Sequence, residues 1–178
     1  MTRRFACAAL LLVLSACGGR EETRRTFYAD GRPWSEIRYV HGRAEGPFAT
    51  WYRNGRKANE GAHVAGRLHG RVTEWGEDGT VVLEATYDRG HLDGAFRERW
   101  PDGKDRCLAA YKRGRLDGLY TEWSREGSKI LEGRYVDGLR EGEWRGWYPD
   151  GRPRGKPAVF VHGEMQSDVE RSGSGKSE

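Results

Sequence analysis

The sequence predicts an all-β fold, an elongated single-sheet antiparallel meander of stacked β-hairpins with about 11–12 strands. Three observations predict it. First, glycines recur at Gly42, Gly66, Gly90, Gly114, Gly138 and Gly163, in steps of 24 residues with 25 at the last. A second series follows at Gly46, Gly70, Gly94, Gly118 and Gly142, and a third runs through Gly31, Gly55, Gly79, Gly103, Gly127 and Gly151. A fixed period of this length marks one supersecondary unit repeated in an array. Second, the third series is preceded by Asp30, Asn54, Asp78, Asp102, Glu126 and Asp150, and Asn-Gly or Asp-Gly between extended runs is the strongest short-range hairpin signal. Third, nothing beyond the N-terminal segment sustains a 3.6-residue apolar period, and the segments between turns have the length of strands.

The first element is not part of the array. Arg3 and Arg4 precede an apolar run from Phe5 to Leu14. That run is too short for a membrane-spanning helix, which needs about 20 residues, and reads as the h-region of a signal peptide. Residues 1–16 are therefore expected to be a lipoprotein signal. Leu14-Ser15-Ala16-Cys17 resembles a bacterial lipobox, in which the cysteine is acylated and becomes the mature N-terminus. The resemblance implies a diacylglyceryl thioether on Cys17 and a membrane anchor, since several acyl chains give stable attachment where one would be marginal. Gly18 stands where Asp often marks inner-membrane retention, so an outer-membrane location is implied. Residues 17–24 form the lipidated tether.

The array spans 25–163. Each repeat reads as a strand, an Asp-Gly turn, a second strand, and a five-residue loop framed by glycines, such as Gly114-Arg115-Leu116-Asp117-Gly118. If that loop is symmetric about its middle residue, Gly61 faces Trp75, Ala109 faces Trp123, Gly133 faces Trp147 and Ile37 faces Trp51. A large ring would then cover a small cross-strand partner. In this register Trp51, Trp75, Trp123 and Trp147 share a face with Tyr39, Tyr87, Tyr111 and Tyr135. The opposite face carries Phe48, Val72, Phe96, Tyr120 and Trp144, with Glu36, Glu60, Glu84 and Glu132. A one-residue slip would exchange the faces. The third unit departs, with Arg99 at the Trp position and Trp100 one residue later. Pro153 and Pro157, with Arg152, Arg154 and Lys156, suit a terminal edge strand. Residues 164–178 are polar and are expected to be disordered.

Composition narrows the function. With 7 Trp, 8 Tyr and 5 Phe in 178 residues, the chain has apolar surface to bury and is not a disordered polyelectrolyte. Its length excludes a large multi-domain enzyme. Removing residues 1–16 takes two arginines and no acids, leaving 29 basic against 27 acidic residues, a net charge of +2. That is no footprint for nucleic acid. Cys7 leaves with the signal and Cys17 is lipidated, so Cys107 has no intramolecular partner; it occupies the place of Leu83 and Leu131 and reads as a buried structural thiol.

The unit Tyr-x-x-Gly-x-x-x-Gly-x-x-x-x-Trp-x-x-Asp-Gly resembles the MORN repeat in the variant form of YwqK-type bacterial antitoxins. Tyr87 to Gly103, Tyr111 to Gly127 and Tyr135 to Gly151 carry it best. The resemblance covers residues 25–163 and departs at His63 and Arg99. It implies a scaffold or assembly surface, and an antitoxin or immunity-type role through binding another protein, a toxin or an envelope protein.

The candidate partner-binding face is Tyr39, Trp51, Trp75, Tyr87, Tyr111, Trp123, Tyr135 and Trp147. These rings read first as the core of a thin sheet. A single layer leaves one face to spare, and binding of envelope glycan through the rings is the alternative reading. Rows of Arg/His (Arg43, Arg67, His91, Arg115) and acids (Glu45, Asp93, Asp117, Glu141) line the glycine loops as weak local pairs or a charged docking edge. No residue set has the spacing of a metal site, no constellation suggests an enzyme, and no cofactor is expected.

Overall fold

A computed structural model describes residues 12–15 and 21–166. It is all-β, with no helix among the described residues, and its neighbouring strands pair antiparallel in chain order. The chain divides into two compact units, 1–91 and 92–178. The first holds β1 (Leu12–Ser15), β2 (Glu21–Phe27), β3 (Pro33–Val40), β4 (Arg43–Trp51), β5 (Lys57–Val64), β6 (Arg67–Leu68), β7 (Gly70–Trp75) and β8 (Val81–Asp88). The second follows from β9 (His91–Arg99) through β10 (Asp105–Lys112), β11 (Arg115–Trp123), β12 (Lys129–Val136), β13 (Leu139–Gly146), β14 (Ala158–Val161) and β15 (Glu164–Met165). β6 and β7 are one strand interrupted at His69. With that merger, β2–β14 give the number of strands the period predicts. Two strands lie beyond the predicted array. β1 comes from the apolar run and pairs with β2, and Glu164–Met165, placed by composition in a polar tail, pair with Phe160 and Val161.

The turns exchange the types that the sequence suggests. At the Asp-Gly sites only glycine has positive φ: Gly31 (φ 84°) donates its N–H to Tyr28 O at 2.9 Å, and Tyr28 N–H donates to Arg32 O at 2.8 Å. That is a type I turn closed by a left-handed glycine bulge. The acid has a different task. Its carboxylate accepts the backbone N–H two residues on, as from Thr80 to Asp78 Oδ1 at 2.9 Å. This bond is the main reason that the Asp78 carboxyl lies below its ordinary value. The two-residue type I′ turn instead lies at the other end of each hairpin. His41 (φ 52°) and Gly42 (φ 75°) are both left-handed, and Ala65, Arg89, Arg113, Asp137 and His162 repeat the first position.

The supposed five-residue loop is therefore a two-residue turn followed by a bulge. Val40 pairs with Arg43 and Tyr39 with Ala44, but Ile37 pairs with Phe48, so the register shifts by two in between. Gly46 lies in that shift with φ 81°. Relative to a symmetric loop the pairing moves by an odd number of residues, and in a structure of period two that exchanges the faces.

The expected face is thus split, which corrects the sequence reading. In the first unit Tyr39 and Tyr87 lie with Phe48 and Val72 on one face, and in the second Tyr111 and Tyr135 lie with Phe96, Tyr120 and Trp144; in each unit this is called here the ring face. Its contacts are direct: Tyr135 meets Trp144 edge-on at 4.9 Å, Tyr120 meets Tyr135 at 5.4 Å, and Phe96 meets Tyr111 at 5.6 Å between centroids. Trp51, Trp75, Trp123 and Trp147 point to the other face, with Glu36, Glu60, Glu84 and Glu132. The rings do cover small partners, though not those expected. Gly61 and Ala85 in the first unit, and Ala109 and Gly133 in the second, form a small-residue column beneath the ring face of each. Gly61 pairs with Phe48 and Gly133 with Tyr120, while Trp144 overlies Gly133 from the next strand. Ala85 is 2% exposed and Trp144 3%, and Val72, Cys107 and Ala109 complete the core of the columns. Cys107 is buried as its Leu-like position suggests, and burial pushes its thiol up.

Successive hairpins are also stitched at both ends. At the type I′ end, Gly66 N–H donates to Ala44 O at 2.9 Å, and Gly114 N–H to Leu92 O at 2.7 Å. At the Asp-Gly end, Tyr28 and Tyr52 donate their hydroxyls to Trp51 O and Trp75 O, each at 2.7 Å. Trp100 stands in this tyrosine position, and its indole N–H donates to Trp123 O at 3.3 Å. The irregular third repeat therefore keeps the stitch while changing the ring.

Candidate functional site

The candidate site is built on the tryptophan face, by a second bulge in each repeat. Thr50 pairs with Asn59 but Trp51 with Lys57, so Ala58 is the extra residue. It turns the Lys57 side chain to the same face as Trp51 and Glu60. Lys57 Nζ lies 5.6 Å from the centre of the Trp75 ring and 2.5 Å from Glu60 Oε2. The second unit repeats this arrangement. Trp123 pairs with Lys129 across the same kind of bulge, Lys129 Nζ lies 5.8 Å from the Trp147 ring centre, and Lys129 pairs with Glu132. Trp51, Lys57, Glu60 and Trp75 thus recur as Trp123, Lys129, Glu132 and Trp147, each 72 residues further on.

A shallow depression adjoins each cluster. The first has a volume of about 530 Å³ and is lined by Leu119, Glu132, Gly133, Arg134 and Arg145 among others. The second, about 520 Å³, is lined by Pro47, Glu60, Gly61, Arg71, Trp75 and Glu84. Gly61 and Gly133 contribute backbone to the two depressions, and side chains of the neighbouring residues wall them. The walls carry both signs of charge, with Arg71 paired to Glu84 and Arg145 paired to Glu143 at 2.8 Å. Leu119, on the rim of one depression, is 70% exposed.

The predicted residues therefore separate. Trp51, Trp75, Trp123 and Trp147 meet lysines on this face, whereas Tyr39, Tyr87, Tyr111 and Tyr135 are half-buried among the rings of the other. Cys17, the lipid-attachment residue, lies outside the described residues. Lys57 and Lys129 escaped the sequence reading. Their signal was an identity at three repeats' distance, which a search at one repeat passes over.

Between the two clusters the pattern inverts. Arg99 takes the Trp place and Asp105 the Lys place, with Arg99 Nε 3.7 Å from Asp105 Oδ1. Arg97 adds a two-pronged contact to the same carboxylate at 2.7 and 3.0 Å. The acidic row of the glycine turns has a structural task. Glu45, Asp93, Asp117 and Glu141 accept the backbone N–H of Ala65, Arg113, Asp137 and His162, the next hairpin's turn residue, at 2.8–3.3 Å. These acids thus stitch each turn to the next. Among the described residues no group of three or more His, Cys, Asp or Glu could hold a metal ion.

No family model matches the chain, and no curated protein matches it.

Proposed function

We propose that the protein is a lipid-anchored scaffold of the bacterial envelope, held through Cys17 at the outer membrane, that binds another protein through its tryptophan face. The observation that carries this reading is the duplicated Trp–Lys–Glu–Trp cluster. Its two copies use the same residues at equivalent places of the two units, each beside a depression with charged walls. Within it the lysine recurs at 72 residues but not at 24, where Val81 and Asp105 stand, so the hairpin itself does not demand it. A binding cluster carried once by each unit accounts for it.

The chemistry favours a protein over a glycan as the occupant. A lysine ammonium already lies over the Trp75 and Trp147 rings, and a sugar would have to displace it to stack there. The mixed charge suits a polar protein surface. Within this reading, an antitoxin or immunity-type role, as in MORN-like YwqK-type proteins, is the narrower form.

The test is crosslinking and pull-down of tagged full-length protein from its own envelope. One stoichiometric protein partner is expected, and it should be lost on Lys57→Glu/Lys129→Glu. Recovery of cell-wall fragments without a protein would overturn the reading in favour of glycan. Palmitate labelling is expected on the wild type, and labelling that persists in Cys17→Ala would remove the anchor. Co-expression with the captured partner, if it is toxic, decides the immunity form.

A further inference from the structure

The first strand of the predicted mature chain has a charge sequence that reads the same, with sign reversed, from either end. β2 begins Glu21-Glu22-Thr23-Arg24-Arg25. Laid antiparallel against a second copy of itself, with Thr23 opposite Thr23, it sets Glu21 against Arg25 and Glu22 against Arg24, each pair occurring twice. All four pairs are of opposite sign and directly opposed, the arrangement in which cross-strand charges attract most. A shift of one residue either way leaves only two of the four pairs.

The edge that would make this contact is held in the full chain by β1. Leu12 pairs with Arg25, Val13 with Arg24, Leu14 with Thr23 and Ser15 with Glu22. On its other side β2 is fully paired with β3, from Glu21 against Val40 to Phe27 against Pro33. β1 lies within residues 1–16, which the reading above assigns to a removed signal. Once it is gone, the backbone N–H and C=O groups along Glu22–Arg25 have no neighbouring strand, and such an edge is a template for pairing.

We infer that removal of the signal converts this edge into a homodimer interface, in which the β2 strands of two copies pair antiparallel about a two-fold axis at Thr23. The inference rests on the signal-peptide reading. The side chains are already spread along the sheet for it. Arg25 pairs with Glu36 at 2.6 Å, Glu21 with Arg38 at 2.8 Å, and Arg24 with Glu22 at 2.6 Å, all partly exposed. A guanidinium has five donors and a carboxylate several acceptor sites, so each can take a second partner across the axis. Because the axis is perpendicular to the sheet, ring face continues as ring face across the interface. The contact closes on itself, since one patch meets the same patch. Among the described residues the last strand, β15, has two residues, too short to offer a second template.

The test uses protein isolated in detergent from envelopes of the producing cell, with its intact mass measured first. The mass decides whether residues 1–16 have been removed. If they are retained, the signal reading fails and the inference falls with it. For processed protein, Thr23→Cys is oxidised and run without reductant. Directly opposed residues in antiparallel strands have Cα atoms about 4.5–5.5 Å apart, within disulfide range. Thr23→Cys should give a crosslinked dimer, and Thr26→Cys, about 20 Å from its counterpart in this register, should not.

Charge reversal supplies the independent arm. Glu21→Arg/Glu22→Arg and Arg24→Glu/Arg25→Glu should each weaken self-association at least about tenfold, because four attractive pairs become repulsive. Mixing the two variants should restore a heterodimer, and so should combining all four changes in one chain. A loss of folding would not be rescued by mixing. Processed protein that stays monomeric, or that crosslinks equally at both positions, would overturn the inference.

Discussion

Gly133→Ala tests the register directly. The Gly133 Cα carries no side chain, and a Cβ added there would lie 2.7 Å from Trp144 Cε3 and closer still to Cδ2 and Cε2. Ordinary contact begins near 3.4 Å, so the indole must retreat by roughly an ångström from a site where it is 3% exposed. Overpacking of this kind costs about 1–3 kcal/mol. Gly133 is not among the positive-φ glycines, so alanine brings no backbone strain and gains about 0.4–1 kcal/mol by restricting the unfolded chain. The net is a loss of about 1–2 kcal/mol. With a urea dependence of about 1–3 kcal/mol per molar, the unfolding midpoint followed by circular dichroism should fall by roughly 0.5–1 M. Gly61→Ala should lose less, because its Cβ would meet Phe48 Cε1 at 2.8 Å and Val72 Cγ2 at 2.9 Å. Trp144→Val installs the smaller side chain that Val72 presents to Gly61 in the equivalent place of an earlier repeat, and should remove most of the Gly133→Ala penalty in a double-mutant cycle. Trp147→Val should leave the penalty unchanged. A neutral or stabilising Gly133→Ala, or a cycle that couples to Trp147 instead of Trp144, would refute the bulged register.

Three further outcomes follow from individual contacts. Glu141→Ala removes the acceptor for the His162 N–H at 2.9 Å; it should cost about 1 kcal/mol and speed amide exchange at His162. His63 is packed 4.7 Å from the Phe48 ring, and burial holds its pKa below the ordinary 6.5. The unfolded chain therefore takes up the proton more readily, so stability should be full above pH 6.5 and fall as the pH drops below it; His63→Phe should flatten that part of the profile. The Cys107 thiol, buried and raised in pKa, should react with a maleimide at pH 8 far more slowly in the folded chain than in urea, and equal rates would contradict its burial.

The fold class was legible because it depends on period, and period survives errors of register. The faces were not legible, because they depend on parity. A Gly-x-x-x-Gly segment such as Gly114 to Gly118 is compatible with a symmetric loop or with a two-residue turn and a bulge. Only the backbone distinguishes them, through Arg113 at φ 51° and Gly118 at φ 128°. The turn residues misled for a related reason. Asp-Gly favours a type I′ turn in isolation, but here the carboxylate is taken by the N–H two residues on, and histidine, alanine, arginine or aspartate supplies the first type I′ position at the far end.

The same logic bears on where function lies. Many residues kept at every 24th position are accounted for by the hairpin: the glycines by φ, the acids of the glycine turns by stitching, the small column by the rings above it. More informative are positions where the period breaks. Position 119 is one, since its counterparts are Pro47, Arg71, Ala95 and Glu143, yet here it is a leucine left 70% exposed beside a depression. Lys57 and Lys129 are others, as the intervening repeats have Val81 and Asp105. The hairpin tolerates all of these alternatives. On the function proposed above, the lysine beside the tryptophan in each unit acts on something outside the sheet, and substitutions there should change binding while leaving the unfolding midpoint in place.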